Sequence, residues 1–242
     1  MTQEFDLAAR LRAGLPDRAA AWELVKDYAR HWVSPLADDD GCGQEELDAA
    51  ESRLGVRLPG ALREAQMLLG RRDDLIRNHN RLLTPAQLFI DTDGEALVFH
   101  EENQGVALWG VLLADLDQID PAVFVRVDLA DKESEKWEPW LDRLSLSMVE
   151  IVLSESLQLP DGLSDFMDEV EDGHLEALEA DFTRLPFPLI EDSRWYVGED
   201  VLVREDGRAV LHARARSSQA LDRLRDRLPG YWIEDDREEL DD

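Results

Sequence analysis

A chain of 242 residues with 44% apolar side chains has room for one large or two modest domains with a real core, and is too apolar for a disordered protein. Its formal net charge of -29 at pH 7 excludes the electrostatic footprint of a nucleic-acid binder. A single cysteine, Cys42, permits no intrachain disulfide and no cysteine-based zinc site.

The acidity has two readings. Lysine occurs only as Lys26, Lys132 and Lys136, so the basic residues are nearly all arginine, and with many Ala, Asp and Leu this resembles a coding-composition bias in which charge serves solubility alone. The other reading is a basic partner. The segment MTQEFDLAAR holds acids and no basic stretch leading into an apolar run, which points away from secretion. The apolar run VALWGVLLA stops at Asp115, short of a membrane span, so a soluble cytoplasmic protein is expected.

Residues 4 to 33 read as helices, with Phe5, Ala8, Leu11 and Leu15, then Trp22, Val25, Ala29 and Trp32, at helical spacing around a break at Pro16-Asp17. In the loop SPLADDDGCG, Asp38, Asp40 and Gly43 suit positions one, three and six of a calcium loop. Ala49 takes the twelfth position where a bidentate Glu is needed, which favours a solvated linker. The segment QEELDAAESRLGVRLPGALREAQMLLG then gives a helical hairpin. Leu47, Ala50 and Leu54 form one stripe, Gly55 sits at a left-handed cap, and Pro59 opens a helix bearing Leu62, Ala65, Leu68 and Leu69. Glu64 and Gln66 beside Arg63 give it no basic recognition face for DNA.

Strands are expected at Leu88 to Ile90, Ala96 to Phe99, Val106 to Val111 and Phe124 to Val127. Asp91, Asp93 and Glu102 invite a second calcium-loop reading, but Ala96 stands at its sixth position, and Asp93-Gly94 is more simply a tight turn. Glu102-Asn103-Gln104-Gly105 joins two apolar strands, with Asn103 able to cap its own backbone and Gly105 free to take positive φ. Ser145 to Leu157 reads as an amphipathic helix and Leu163 to Phe182 as a second. Next come two strands joined by a Glu205-Asp206-Gly207 turn, a helix from Ser218 to Leu228, a short strand from Tyr231 to Ile233 and an acidic tail, REELDD.

No G-x-S-x-G, cysteine-histidine pair or phosphate loop occurs. His31, His79, His100, His174 and His212 are widely spaced, as surface or interface residues would be. Glu101 and Glu102 would face opposite sides of an extended strand, which prevents joint acid-base work. No catalytic, metal or cofactor site is assigned, although an unrecognised acidic-site enzyme stays open as a third reading.

A set of weak motifs in order is more specific than any one of them. Ala50-Glu51, Leu54-Gly55 and Leu58-Pro59 come first, then Asn80 with Leu83, Pro85 and Leu88. Leu97-Val98-Phe99 runs into Glu102-Asn103-Gln104-Gly105, followed by Trp109-Gly110 and Asp120-Pro121-Val123. This order resembles the SUKH superfamily of Knr/Smi-like proteins, over residues 44 to 158; Ala122 departs from it where a second proline is common. The resemblance implies an α+β fold with helices on a mainly antiparallel sheet and no catalytic centre, with Glu51, Gly55, Pro59, Asn103, Gly105, Trp109 and Pro121 defining the fold. It implies an immunity protein that neutralises a toxin, commonly a nuclease, or alternatively a scaffold with several weaker partners. The organisation expected is N-terminal helices over 1–36, the Knr/Smi-like domain over 44–158, and a C-terminal extension over 159–242 that is either continuous with the first sheet or separate.

Charge placement suits a basic toxin domain as partner. No lysine or arginine lies between Arg81 and Arg126, an interval holding Asp91, Asp93, Glu95, Glu101, Glu102, Asp115, Asp117 and Asp120. A second such interval, from Arg143 to Arg184, holds Asp161, Asp165, Asp168, Glu169, Glu171, Asp172, Glu176, Glu179 and Asp181. The candidate contacts are therefore Glu101, Glu102, Asn103 and Gln104 on the hairpin, Asp115, Asp117 and Asp120 after it, and Asp165, Asp168, Glu169 and Asp172 further on. A monomer contacting neither nucleic acid nor membrane is expected; the bland alternative is two solvated acidic faces.

Overall fold

Helix α1 (Leu7–Ala13) starts where Asp6 accepts the Ala9 N–H at 2.8 Å, and α2 (Arg18–Trp32) starts where Asp17 accepts the Ala20 N–H at 2.9 Å. The second cap lies at the Pro16-Asp17 break in the apolar stripe. A computed structural model describes residues 5–188, 190 and 192–234 and has the α+β class expected, with helices and antiparallel sheets. It divides into a first unit, residues 15–155, and a second, residues 5–14 with 156–234. The N-terminal helices accordingly belong to different units, α2 to the first and α1 to the second.

In the first unit, α3 (Gln44–Leu54) and α4 (Gly60–Leu69) form the expected hairpin. Gly55 ends α3 at φ 72°, a conformation that a Cβ disfavours. Glu51 ties the turn, its carboxylate accepting the Leu58 N–H at 3.0 Å and Arg63 Nη1 at 2.8 Å. Glu64 then clamps α4 to α2 through Arg18 and Trp22 Nε1, the latter at 2.7 Å.

After the short α5 (Asp73–Ile76) come β1 (Arg81–Leu82), β2 (Phe89–Ile90), β3 (Ala96–Glu101), β4 (Ala107–Leu112), β5 (Val123–Val127) and β6 (Glu138–Leu141). They form one antiparallel sheet in the order β1-β3-β4-β5-β6. Strands β1 and β2 share one edge of β3, with Arg81 opposite Glu101 and Phe89 opposite Val98, as a single strand interrupted by a loop. Helix α6 (Leu144–Ser156) matches its expected span within a residue at each end but is not the amphipathic helix expected: Leu144, Met148, Val149, Ile151 and Val152 are all buried, so it is enclosed almost all round. Its buried Glu155 accepts the backbone N–H groups of His79 and Asn80 at 2.7 and 3.0 Å.

The second unit continues with β7 (Ser164–Met167), α7 (Asp172–Asp181), β8 (Thr183–Arg184), β9 (Ser193–Gly198), β10 (Val201–Asp206), β11 (Val210–Ala215) and α8 (Ser218–Arg227). Its antiparallel sheet, ordered β7-β11-β10-β9-β8, is separate from the first, which settles the open question of continuity. Met167, Tyr196, Val203 and Leu211 on the strands share one core with Leu221 and Leu224 of α8 and with Leu228 just past its end. Each such burial is worth roughly 1.5 to 3 kcal/mol before entropy is set against it.

Two expected elements are corrected here. The helix over Leu163 to Phe182 is instead strand β7, a loop and the shorter α7. Asp165, which a helix would have turned to solvent, is 3% exposed, and its Oδ2 accepts Arg225 Nε and Nη2 at 2.9 and 2.5 Å. The strand expected at Tyr231 to Ile233 is irregular: only Ile233 N–H reaches Phe166 O, at 3.0 Å, while Trp232 turns inward and donates from Nε1 to Leu228 O. The β10–β11 turn also sits later than expected, because Glu205 and Asp206 complete β10 and Gly207 and Arg208 take positive φ. The tail REELDD lies outside the described residues.

Candidate partner-binding surface

The β3–β4 hairpin closes with Glu102 N–H donating to Ala107 O and Gly105 N–H to Glu102 O, both at 2.9 Å. Gly105 has the positive φ expected of it, 77°. The side-chain cap, however, comes from Glu102, whose carboxylate accepts the N–H of Gln104 at 2.7 Å and of Val106 at 3.2 Å. Asn103 instead reaches out of the turn: its N–H donates to Asn80 Oδ1 at 3.3 Å, and its Nδ2 lies 3.2 and 3.3 Å from the ring nitrogens of His79. Since Glu155 holds His79 and Asn80, the hairpin tip is braced against a fixed segment. Glu101 forms an ion pair with Arg81 across the β1–β3 pairing, so it is spoken for, whereas Asn103 and Gln104 are exposed.

Just before the turn, the β3–β4 register shifts between Val98 and His100, placing His100 opposite Trp109. The two rings lie 4.5 Å apart, and Trp109 also meets Trp140 at 5.7 Å. His100 is 3% exposed and burial pushes it down to about 3; neither ring nitrogen, nor Trp109 Nε1, has a partner among the described residues. His174 is buried too, its Nδ1 accepting the Glu171 N–H at 3.0 Å and its Nε2 donating to Pro229 O at 2.8 Å. The expectation that the histidines sit at the surface fails for these two, because each is a packing or bracing group inside its own unit.

The two acidic intervals separate into structural and free carboxylates. Asp120 caps α6, accepting Ser145 N–H at 2.8 Å and Ser145 Oγ at 2.6 Å, and Pro121 O accepts the Leu144 N–H at 2.7 Å. Asp115 binds Gln118, Asp165 is buried against Arg225, and Asp172 pairs with Arg208. Asp120 and Asp165 are thereby removed as partner contacts. Among the described residues Asp117, Asp168 and Glu169 are exposed with no partner.

A carboxylate outside the candidate set organises the neighbouring surface. Asp91, 6% exposed, accepts the N–H groups of Glu95 and Ala96 at 2.7 and 2.9 Å, Trp137 Nε1 at 3.1 Å and Arg126 Nη1 at 3.3 Å. Burial alone would raise its carboxyl, but the Ala96, Trp137 and Glu95 bonds and the Arg126 charge hold it below the usual range. Arg126 also binds Asp93 at 2.6 Å and approaches Glu135 at 3.4 Å. The Asp-Thr-Asp-Gly pattern that looked like a calcium loop is thus a capped hairpin turn, with Gly94 at φ 70°. Only the spacing of Asp91 from the Glu95 and Ala96 N–H groups hinted at this role.

Beside Arg126 is a concavity of about 340 Å³ lined by Phe89, Val106 and Leu108 with Asp128 and Glu135. The second unit has its own groove of about 730 Å³, where Leu159, Phe166 and Leu221 adjoin His212, Asp222 and Arg225. Among the described residues no three His, Cys, Asp or Glu side chains gather as metal ligands, and no helix is long and apolar enough to cross a membrane. Comparison with protein families, curated proteins and solved structures found no match.

Proposed function

We propose that this chain is a non-enzymatic protein-binding module of the Knr/Smi-like kind, and that it acts as an immunity protein neutralising a basic, nuclease-type toxin inside the cell that makes it. The observation that supports this reading is the β3–β4 hairpin. Its tip is exposed at Asn103 and Gln104, its backbone is capped by Glu102, and its base is braced through Asn80 and Glu155. Such a projection binds with little ordering cost. Around it the cations are engaged internally, Arg81 by Glu101 and Arg126 by Asp91 and Asp93, while Asp117 stays free. A nuclease needs a basic groove for phosphate, and an acidic surface can both steer towards that groove and occupy it.

The scaffold alternative draws on the second unit, whose separate groove gives the chain another surface. Co-expression with a basic nuclease toxin, taken from the neighbouring genes where one encodes it, tests the primary reading. Survival that depends on this chain, with association slowing as salt rises, is the expected result. No protection, together with capture of several weakly held and unrelated proteins, would favour the scaffold.

A further inference from the structure

Register places Phe89, Val98, Gly110 and Phe124 directly opposite one another across β2, β3, β4 and β5, so they share one face of the first sheet. Leu108 and Arg126, an opposed pair two residues along, belong to that face as well. Trp137 covers part of it: a Cβ on Gly110 would stand 2.9 Å from Leu97 O and 3.2 Å from the Trp137 ring, so glycine allows the close approach of both. Beyond Trp137 the cover stops, and the concavity of Phe89, Val106 and Leu108 begins.

A large apolar side chain is unusually exposed at this end of the sheet. Val106, which lines the hollow, is 44% exposed, and its O accepts the Asp128 N–H at 2.7 Å, which carries Asp128 to the same hollow. Exposed Val106 joined to Phe89 and Leu108 in one hollow marks a contact site more than a scattered valine does. The charge around it selects the occupant. Asp91, Asp93, Asp128 and Glu135 surround the hollow against two cations, Arg126 and Lys132, already bound to them. A purely apolar partner would strip water from carboxylates without replacing it.

We infer that this concavity is the docking surface for a lysine- or arginine-bearing stretch of the protein partner, the aliphatic stem lying on Phe89, Val106 and Leu108 and the cationic head reaching Asp128 and Glu135. The inference rests on the reading of the chain as a module for a basic partner, and assigns that partner's contact to the sheet face beside the hairpin.

The probe is a synthetic octapeptide of alternating arginine and leucine, with a glutamine-for-arginine version as control, titrated into the full chain and followed residue by residue by NMR at about 0.15 M salt. Shifts should centre on Phe89, Val106 and Leu108. Affinity should fall roughly tenfold or more in Val106→Ser and in Asp128→Asn, and stay within about twofold in Asp168→Asn/Glu169→Gln. Melting curves of each variant identify any that fail to fold, and the two independent lesions guard against that. Tight binding with shifts elsewhere, or equal loss in the Asp168/Glu169 control, would overturn this docking site while leaving a basic partner in place. No preference for the arginine peptide anywhere on the chain would overturn the basic-partner reading and the site with it. Self-association that Val106→Ser abolishes would give the surface to a second copy and sink the inference.

Discussion

Asp91 and Asp165 are buried carboxylates in the two different sheets, and both join an arginine while accepting two backbone N–H groups. Asp91 takes its N–H donors from Glu95 and Ala96, within its own turn, and Asp165 takes one from Phe166 beside it and one from Glu234 far along the chain. Arg126 of the first pair is shared with Asp93 and Glu135 near solvent, whereas Arg225 of the second closes on Asp165 in the interior. A carboxylate that organises its own turn can lose charge and keep its place. One that joins distant segments cannot, so equal burial should not mean equal importance.

The sharpest way to break this comparison is to neutralise both. Asp165→Ala strands a buried guanidinium and frees the segment at Glu234, and should cost about 3 to 5 kcal/mol in urea denaturation. Asp91→Asn keeps a side-chain oxygen for its turn and should cost about 1 to 3 kcal/mol. Equal losses would show that burial alone sets the value.

His100 extends the contrast to a buried polar group with no partner. Its folded value, about 3, lies below the ordinary 6.5, so the unfolded chain binds the proton first. The associated stability is complete above about pH 6.5 and drains away as pH falls towards about 3. Replacing His100 by Leu should flatten that acid limb by a few kcal/mol across the window, measured as denaturation midpoint against pH. An unchanged acid limb would assign the loss to carboxylates such as Asp91, whose depressed value places their contribution at lower pH.

The hairpin offers smaller effects. Gly105→Val forces a β-branched residue to positive φ and should cost about 1 to 3 kcal/mol. Glu102→Ala removes the turn cap, at about 1 kcal/mol, and Asn103→Ala should cost less than that because its contacts are exposed. A ranking with Asn103 above Glu102 in thermal melts would restore Asn103 as the cap. Smallest of all, Asp168→Asn/Glu169→Gln should move stability by no more than about 0.5 kcal/mol, since neither has a partner among the described residues.

The features legible in the sequence are those fixed within a few residues. Leu47, Ala50, Leu54, Gly55 and Pro59 announce the helical hairpin because stripe, cap and restart are local signals. The strands around Gly105 and the span of α6 are likewise local. The misreadings involve partners that spacing cannot reveal. Asp165 enters a strand because Arg225 waits on α8, and Asp120 leaves the candidate surface because it caps a helix that starts well downstream. Glu102 outdoes Asn103 as a cap by reach, its longer side chain crossing to Gln104 and Val106 while Asn103 finds His79. His100 is buried through a register shift that leaves no mark in the alternation of β3.

The assignment of α1 to the second unit bears on how the chain is made. A ribosome releases α1 before the first unit, yet its own unit gains β7 to β11 and α8 only after all of the first unit has emerged. The first unit can close as soon as Glu155 is free to hold His79 and Asn80. Meanwhile Leu7, Ala8 and Leu11, buried in the folded protein, stay bare on the nascent chain, a stretch for chaperones to cover until α8 has emerged.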